Sequence, residues 1–366
     1  MIEQKSIKTD GVGAMKPKAG HIVLALFVGL QSFVAAAQQR DDFFAGKTIT
    51  FVNNFPPGGA SDLWTRLNAR HIGKFIPGNP VVNVQNRGGA AGKIGYGWFA
   101  TQAPADGTSV GMFGGALPQE QAFGEMPRDL PSISELQILA SVGDTDVFFA
   151  RRAKLPEGAR SMAKPPEPPV AVAQESDVVG RLLTAQFGLL GLAEGRDYKM
   201  VRGFPGGSEI LLAMRRGEID FDVARVGLYR QAAAPEVAAG AWTVLWQGGV
   251  ARGGVIRRNA AIPDIPTFEE AFQTIFGAPP TGPQARFVRW HARAQGVTRF
   301  AALPRGAPAR AKEILIDSWR RMASDEEFLR EADKTLGIGP DAMLFAEEAR
   351  RAIADVLAGP NAEAPE

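Results

Sequence analysis

The stretch KTITFVNNFPPGGASDLWTRLNARHIGKF, Lys47 to Phe75, reads as strand, glycine turn and helix in immediate succession. TITFVNNF is rich in β-branched residues, as strands are. The prolines and glycines from Pro56 to Gly59 break it. Beyond them Trp64, Leu67, His71 and Phe75 recur at the spacing of one helical face. A near copy follows much later. DYKMVRG, Asp197 to Gly203, is strand-like, FPGGSE spans Phe204 to Glu209, and ILLAMRRGE continues as a helix. Two such turns predict two lobes, each presenting a helix start to a common place.

The rest of the chain fits that division. After the first helix come a strand in NPVVNVQN, the glycine-rich RGGAAGKIG, a helix through YGWFATQA and a strand in SVGMFGG. Alternating strands and helices predict a parallel α/β layer. LQILASVGDTDVFFARR, Leu136 to Arg152, reads as a strand pair leading away from this layer. Past the proline-rich AKPPEPP, Ala163 to Pro169, a second α/β unit runs from VAVAQ to IDFDVARV, and WTVLWQGGV reads as a further strand. Long helical patterns from Ala307 onward carry an apolar face that needs the first lobe's sheet for burial. The expected lobes are therefore 46–140 plus 252–366, and 141–251.

Composition narrows the class. A chain of 366 residues exceeds one ordinary core, and 45% hydrophobic with 22% charged residues is a globular balance. Cysteine is absent, which excludes disulfides, thiolate metal sites and a catalytic cysteine. At the N-terminus Lys16 and Lys18 precede the apolar HIVLALFVGLQSFVAAA, His21 to Ala37, with small residues at Ala35 and Ala37. This is the pattern of a secretory signal over residues 1–37, with Met1 or Met15 as start and a mature protein beginning near Gln38. An uncleaved membrane anchor is the alternative, although the apolar run is shorter than the ~20 residues a spanning helix needs. Removing the segment takes away Lys5, Lys8, Lys16 and Lys18 with Glu3 and Asp10, which cancels the whole formal surplus of +2. Opposite charges are interspersed in what remains, so a nucleic-acid partner is not expected.

Enzyme signatures fail one by one. GGAAGK, Gly88 to Lys93, has one residue too few for a phosphate loop, and Ile94 stands where Ser or Thr is required. No nucleophile elbow is present. Beyond the signal only His71 and His291 remain, too few for a histidine-based metal site, and His71 falls on an apolar helical face. What is left is the pair of glycine turns. A helix start exposes N–H groups without partners, glycine admits a ligand close to them, and the helix dipole favours an anion there. Gly58, Gly59 and Ala60 would offer backbone groups, and Ser61 and Ser208 would donate or cap. Asp62 and Glu209 would occupy first turns that favour negative charge. Ordinary capping explains either turn alone; two matched copies favour one anion site shared between lobes. Arg225, ending IDFDVAR, is a candidate for a second ligand charge, or else a solvated or salt-bridged arginine.

GKTITFVNNFPPGGASDLWTRL resembles the opening of the TctC/Bug solute-binding proteins, the extracytoplasmic receptors of tripartite tricarboxylate transporters. The resemblance continues through PVVNVQNRGGAAGKIGYGWFATQAPADGTSVGMF, MVRGFPGGSEILLAMRRGEIDFD, IPDIPTFEEAF and ALPRGAPARAKEIL, in that order over most of the chain. It implies a type II periplasmic-binding-protein fold, two α/β lobes with the ligand in the cleft. It further implies a ligand carboxylate on the turn Phe55 to Asp62, and closure by loops at Gln174 to Asp177, including Ser176, and at Phe204 to Ser208, including Gly206 and Gly207. The chain departs from the family at Gly203-Phe204-Pro205, where Tyr-Lys is usual, and in the loop AQESDVV, which carries two acids. The expectation is a monomeric periplasmic receptor without cofactor or metal, passing a small organic carboxylate to the membrane subunits of such a transporter. A sensor that presents its ligand to a membrane signalling protein and an enzyme on the same fold are the alternatives.

Overall fold

The computed structural model describes residues 43–361, apart from 115, 165, 166, 175, 205, 206, 253, 254, 340 and 341. The expected signal segment, 1–37, lies outside the described residues. Among these, no helix is long and apolar enough to cross a membrane.

Two sheets organise the chain. The first has the order β13-β4-β12-β3-β1-β2, formed by β1 (Thr48–Asn53), β2 (Val81–Asn86), β3 (Ser109–Gly114), β4 (Gln137–Val142), β12 (Arg299–Leu303) and β13 (Met343–Phe345). The second has the order β7-β6-β8-β5-β9, formed by β5 (Asp146–Arg151), β6 (Val170–Ala173), β7 (Tyr198–Val201), β8 (Phe221–Arg225) and β9 (Trp242–Gln247). A separate hairpin joins β10 (Val250–Arg252) to β11 (Val255–Arg257).

As the alternation of elements predicts, β1 pairs parallel with both β2 and β3. Helix α1 (Ala60–Ile72) and helix α2 (Lys93–Gln102) supply the crossovers. Trp64, Leu67 and His71 are buried along α1, as the helical spacing requires, while Phe75 lies half-buried in a short 3-10 turn. The tail packs here too. Helix α8 (Ala309–Met322) stacks Trp319 on Phe51 with centroids 5.7 Å apart and planes 8° from parallel. The Trp319 indole also donates to Asn68 Oδ1 of α1 at 2.9 Å.

Strands β4 and β5 are the expected departing pair, but they pair with different sheets, and residues 143–145 cross from one to the other. One helix sits where the sequence reading did not put it. Helix α6 (Phe268–Phe276), assigned to the first lobe by its position in the chain, buries Phe268 and Ala271 with Trp246, Phe148 and Phe221 against the second sheet. Its polar face faces out, so only the apolar stripe decides the partner, and that stripe meets β9. The next helix, α7 (Gly282–Ala294), serves both layers: Val288 joins the second-sheet cluster, and Trp290 and Ala294 join the first-sheet cluster around Phe113 and Phe300.

Candidate binding site

Strand directions decide where a ligand can sit. β12 runs antiparallel to β3 and to β4, so β1, β3 and β4 all end on one edge, at Asn53, Gly114 and Val142. In the second sheet Asp146, where β5 begins, pairs with Arg225, where β8 ends, and β6 runs parallel to β8. The crossing residues 143–145 thus join the carboxyl edge of the first sheet to the carboxyl edge of the second. Ligands of open α/β sheets lie in crevices at such edges. Each sequence-predicted site residue among the described residues falls on one: Phe55 to Asp62 after β1, Gln174 and Ser176 after β6, Gly207 and Ser208 after β7, and Arg225 closing β8. Gly206 lies outside the described residues.

The first turn is built by asparagines. Ser61 Oγ donates to Asn53 Oδ1 at 2.7 Å. Asn54 continues the sheet beyond β1, accepting from Gly114 N at 2.9 Å and donating to Gly114 O at 3.3 Å. Asp62 is buried, and it accepts from Gly58 N at 2.9 Å, Arg66 Nε at 2.9 Å and Asn86 Nδ2 at 2.8 Å. Burial alone would raise the Asp62 carboxyl; Arg66, the Gly58 N–H and Asn86 outweigh it and hold it below the ordinary value.

These bonds correct two details of the expected site. The Gly58 N–H, expected to face a ligand, is spent on Asp62. The Ser61 proton is spent on Asn53, so its hydroxyl has only acceptor capacity left. Asp62 itself is a fastening residue: one oxygen takes Gly58 and Arg66, and the other takes Asn86 from β2. The first helical bond is Leu63 N to Gly59 O, at 2.9 Å. The helix geometry therefore leaves the N–H groups of Ala60 and Ser61 without intrahelical partners. Pro56 to Ala60 stand exposed above them.

The glycine-rich run that failed as a phosphate loop has another task. A Cβ on Gly95 would lie 2.2 Å from Arg87 O and 2.8 Å from Asn54 Cα, and one on Gly88 would meet the Pro56 ring at 2.7 Å. The loop after β2 is pressed against the first turn, and only hydrogen fits between them. Gly95→Ala is expected to destabilise the protein by about 3 kcal/mol, the upper end of overpacking costs, because both obstructing atoms are backbone. Denaturant unfolding checks this; a parental midpoint would mean the loop does not buttress the turn.

On the second sheet the expected contacts are also partly engaged. Gln174 donates to Asp177 Oδ1 at 3.2 Å and accepts from Arg202 Nε at 2.9 Å. Ser176 Oγ accepts from Val179 N at 3.3 Å and caps helix α4 (Asp177–Leu189). Ser208 is exposed in the first turn of α5 (Gly207–Arg216). A hollow of about 570 Å³ opens beside Gln174, Asp177, Arg181 and Arg202. Arg181 stacks over Phe123 at 4.5 Å and pairs with Glu125, bridging from α4 to the segment between β3 and β4.

Between the two edges lies a buried charged network. Arg225 Nη1 is 3.3 Å from Asp146 Oδ1 and also contacts Gln295. His291 Nε2 is 3.1 Å from Asp146 Oδ2, and Gln295 Nε2 donates to the same oxygen at 3.0 Å. Arg225 is salt-bridged to Asp146, with its side chain still 40% exposed. Arg299, which opens β12, stands 3.7 Å from Asp144 Oδ2. Sequence reasoning missed both aspartates and Arg299; the available signal was charge where a strand begins or ends, in GDTD and RFAAL. The other histidine, His71, meets Glu331 Oε2 at 2.7 Å.

No family model matches the chain. Protein BugT of Bordetella pertussis is 32% identical over 135 residues, which is 36% of this chain and 40% of BugT. The chain thus matches well under two thirds of that curated relative's length. Among solved structures, a TctC solute binding protein from Polaromonas superposes with a TM-score of 0.62 at 16% identity, covering 86% of this chain and 96% of that one. MatC from Rhodopseudomonas palustris, solved with bound malate, gives 0.55 at 19% identity, over 85% and 95%. The fold is the two-lobed α/β fold of periplasmic binding proteins.

Proposed function

We propose, for a chain that belongs with the TctC/Bug solute-binding proteins, that it is a periplasmic receptor for a small organic carboxylate. It hands that ligand to the membrane subunits of a tripartite tricarboxylate-type transporter. The observation that carries this reading is the start of α1: an exposed glycine turn, fastened from behind by Asn53, Asn86 and Asp62, with the Ala60 and Ser61 N–H groups left over. Such a start is a ready anion site. The malate held by MatC supports a carboxylate as the anion. No bond has to be broken for this task. A ligand that prefers the closed arrangement of two lobes shifts the population towards it.

The division into lobes is part of the proposal. One lobe is built on the first sheet and one on the second. They are joined through residues 143–145 and through the return from β9 to β12, and α6 belongs with the second lobe.

Thermal-shift screening of the full chain against mono-, di- and tricarboxylates, followed by calorimetry, tests the function. A true ligand at a hundred times its Kd should stabilise by about 2.7 kcal/mol. Turnover of a carboxylate, or no stabilisation by any of them, would overturn the reading.

A further inference from the structure

Arg299 has no assigned role, and its surroundings are unusual. The residue is 7% exposed, and its Nη1 has no hydrogen-bond partner among the described residues. The Asp144 carboxylate at 3.7 Å balances its charge but is too far for a hydrogen bond. A buried guanidinium nitrogen left this way forfeits the full value of its solvation.

Register fixes where the side chain emerges. Arg299 lies directly opposite Gly114 on β3. Opposed residues of an antiparallel pair project from the same face. A Cβ on Gly114 would sit 2.6 Å from Ser61 Oγ and 2.9 Å from Ser61 Cβ. Arg299 therefore emerges on the face that carries Ser61 and the start of α1. Its guanidinium reaches Asp144, on the crossing between the lobes. The helix start and the Arg299 side chain thus lie on one face at the carboxyl edge of the first sheet. Only glycine at position 114 lets Ser61 pack this closely on β3.

We propose that Arg299 is a ligand-binding residue, giving a carboxylate seated on the start of α1 a fixed positive partner and making the site selective for anions over neutral isosteres. This rests on the receptor reading given above. In the ligand-free state Asp144 stands in for the ligand charge; when a carboxylate arrives, Arg299 turns its unpartnered Nη1 to it. Burial raises the Asp144 carboxyl, with Arg299 and Arg225 opposing that rise. Arg225, from the second lobe, already has Asp146.

The test uses the full chain, malate and its uncharged diamide as probes, and calorimetry. Arg299→Gln alone would strand Asp144, so the decisive variant is the double Asp144→Asn/Arg299→Gln, which removes the pair together. The parent should bind malate and ignore the diamide. Asp144→Asn alone should bind malate at least as tightly as the parent, because Arg299 is released. The double variant, checked by circular dichroism for native fold, should lose at least tenfold for malate. If the folded double variant binds malate within twofold of the parent, or Asp144→Asn weakens binding as much as the double does, Arg299 is structural and the inference fails. If the parent binds no carboxylate in the screen, the receptor reading itself fails and this inference falls with it.

Discussion

Gly59→Val should leave the protein folded and abolish carboxylate binding. Gly59 caps α1 with φ −82° and ψ 172°, extended backbone open to any residue, and there is no side-chain capping bond to lose. No atom lies within 4 Å of the place a Cβ would occupy. Exchanging Gly for an aliphatic residue at an N-cap costs about 1 kcal/mol. The new side chain, however, stands in front of the Ala60 and Ser61 N–H groups. Each charge-assisted hydrogen bond lost there contributes about 1.5–3 kcal/mol. Two of them correspond to a loss of more than about a hundredfold in affinity. Gly58→Val is the contrasting control: Gly58 has φ +92°, so a branched residue there strains the turn itself. Melting curves should show Gly59→Val close to the parent and Gly58→Val well below it. Calorimetry with a carboxylate from the screen reads the binding. Parental affinity in a folded Gly59→Val protein would mean the first turn is only a turn.

The layers were legible from the sequence because hydrophobic spacing and glycine breaks report local structure directly. The β-branched run of β1, the glycine turn and the face of Trp64 and Leu67 announce a strand–turn–helix unit, and repetition of the unit announces two lobes. The site was legible only as far as its backbone. FPPGGASD shows that a helix starts at Ala60, but not that Asp62 turns inward to take the Gly58 N–H, because that depends on Asn86 from another strand. GGAAGK looks like a defective phosphate loop in one dimension. In three it is a spacer that must be thin, since Gly95 rests on Asn54. The helix α6 shows the same limit: its apolar stripe was visible, but which sheet it covers is settled by the route of the chain after β9. Arg299 and Asp144 are 155 positions apart and carry no shared pattern. Only strand register brings them together.

Asp146→Ala should be the most destabilising single substitution at the junction of the two sheets, at about 3–5 kcal/mol. Asp146 is 3% exposed and carries the negative charge to which three groups turn: Arg225 from β8, and His291 and Gln295 from α7 and the turn after it. Arg225 can swing towards water, being 40% exposed, but His291 is only 2% exposed and cannot. Removing the carboxylate therefore strands buried polar groups, which costs more than the pair contributes. The pH dependence has a definite sign. Burial by itself would raise the Asp146 carboxyl; the Arg225 charge and the His291 hydrogen bond outweigh it, so the folded-state value lies below the ordinary one. Stability from this group is complete above about pH 4, the unfolded value, and is lost as pH falls through the folded value. The difference in unfolding free energy between parent and Asp146→Ala should accordingly shrink as pH falls below about 4. Urea titrations across that range measure it. A difference under about 1 kcal/mol at neutral pH would show that the network merely lines the crossing; the full value would show that the link between the two sheets is fastened electrostatically at Asp146.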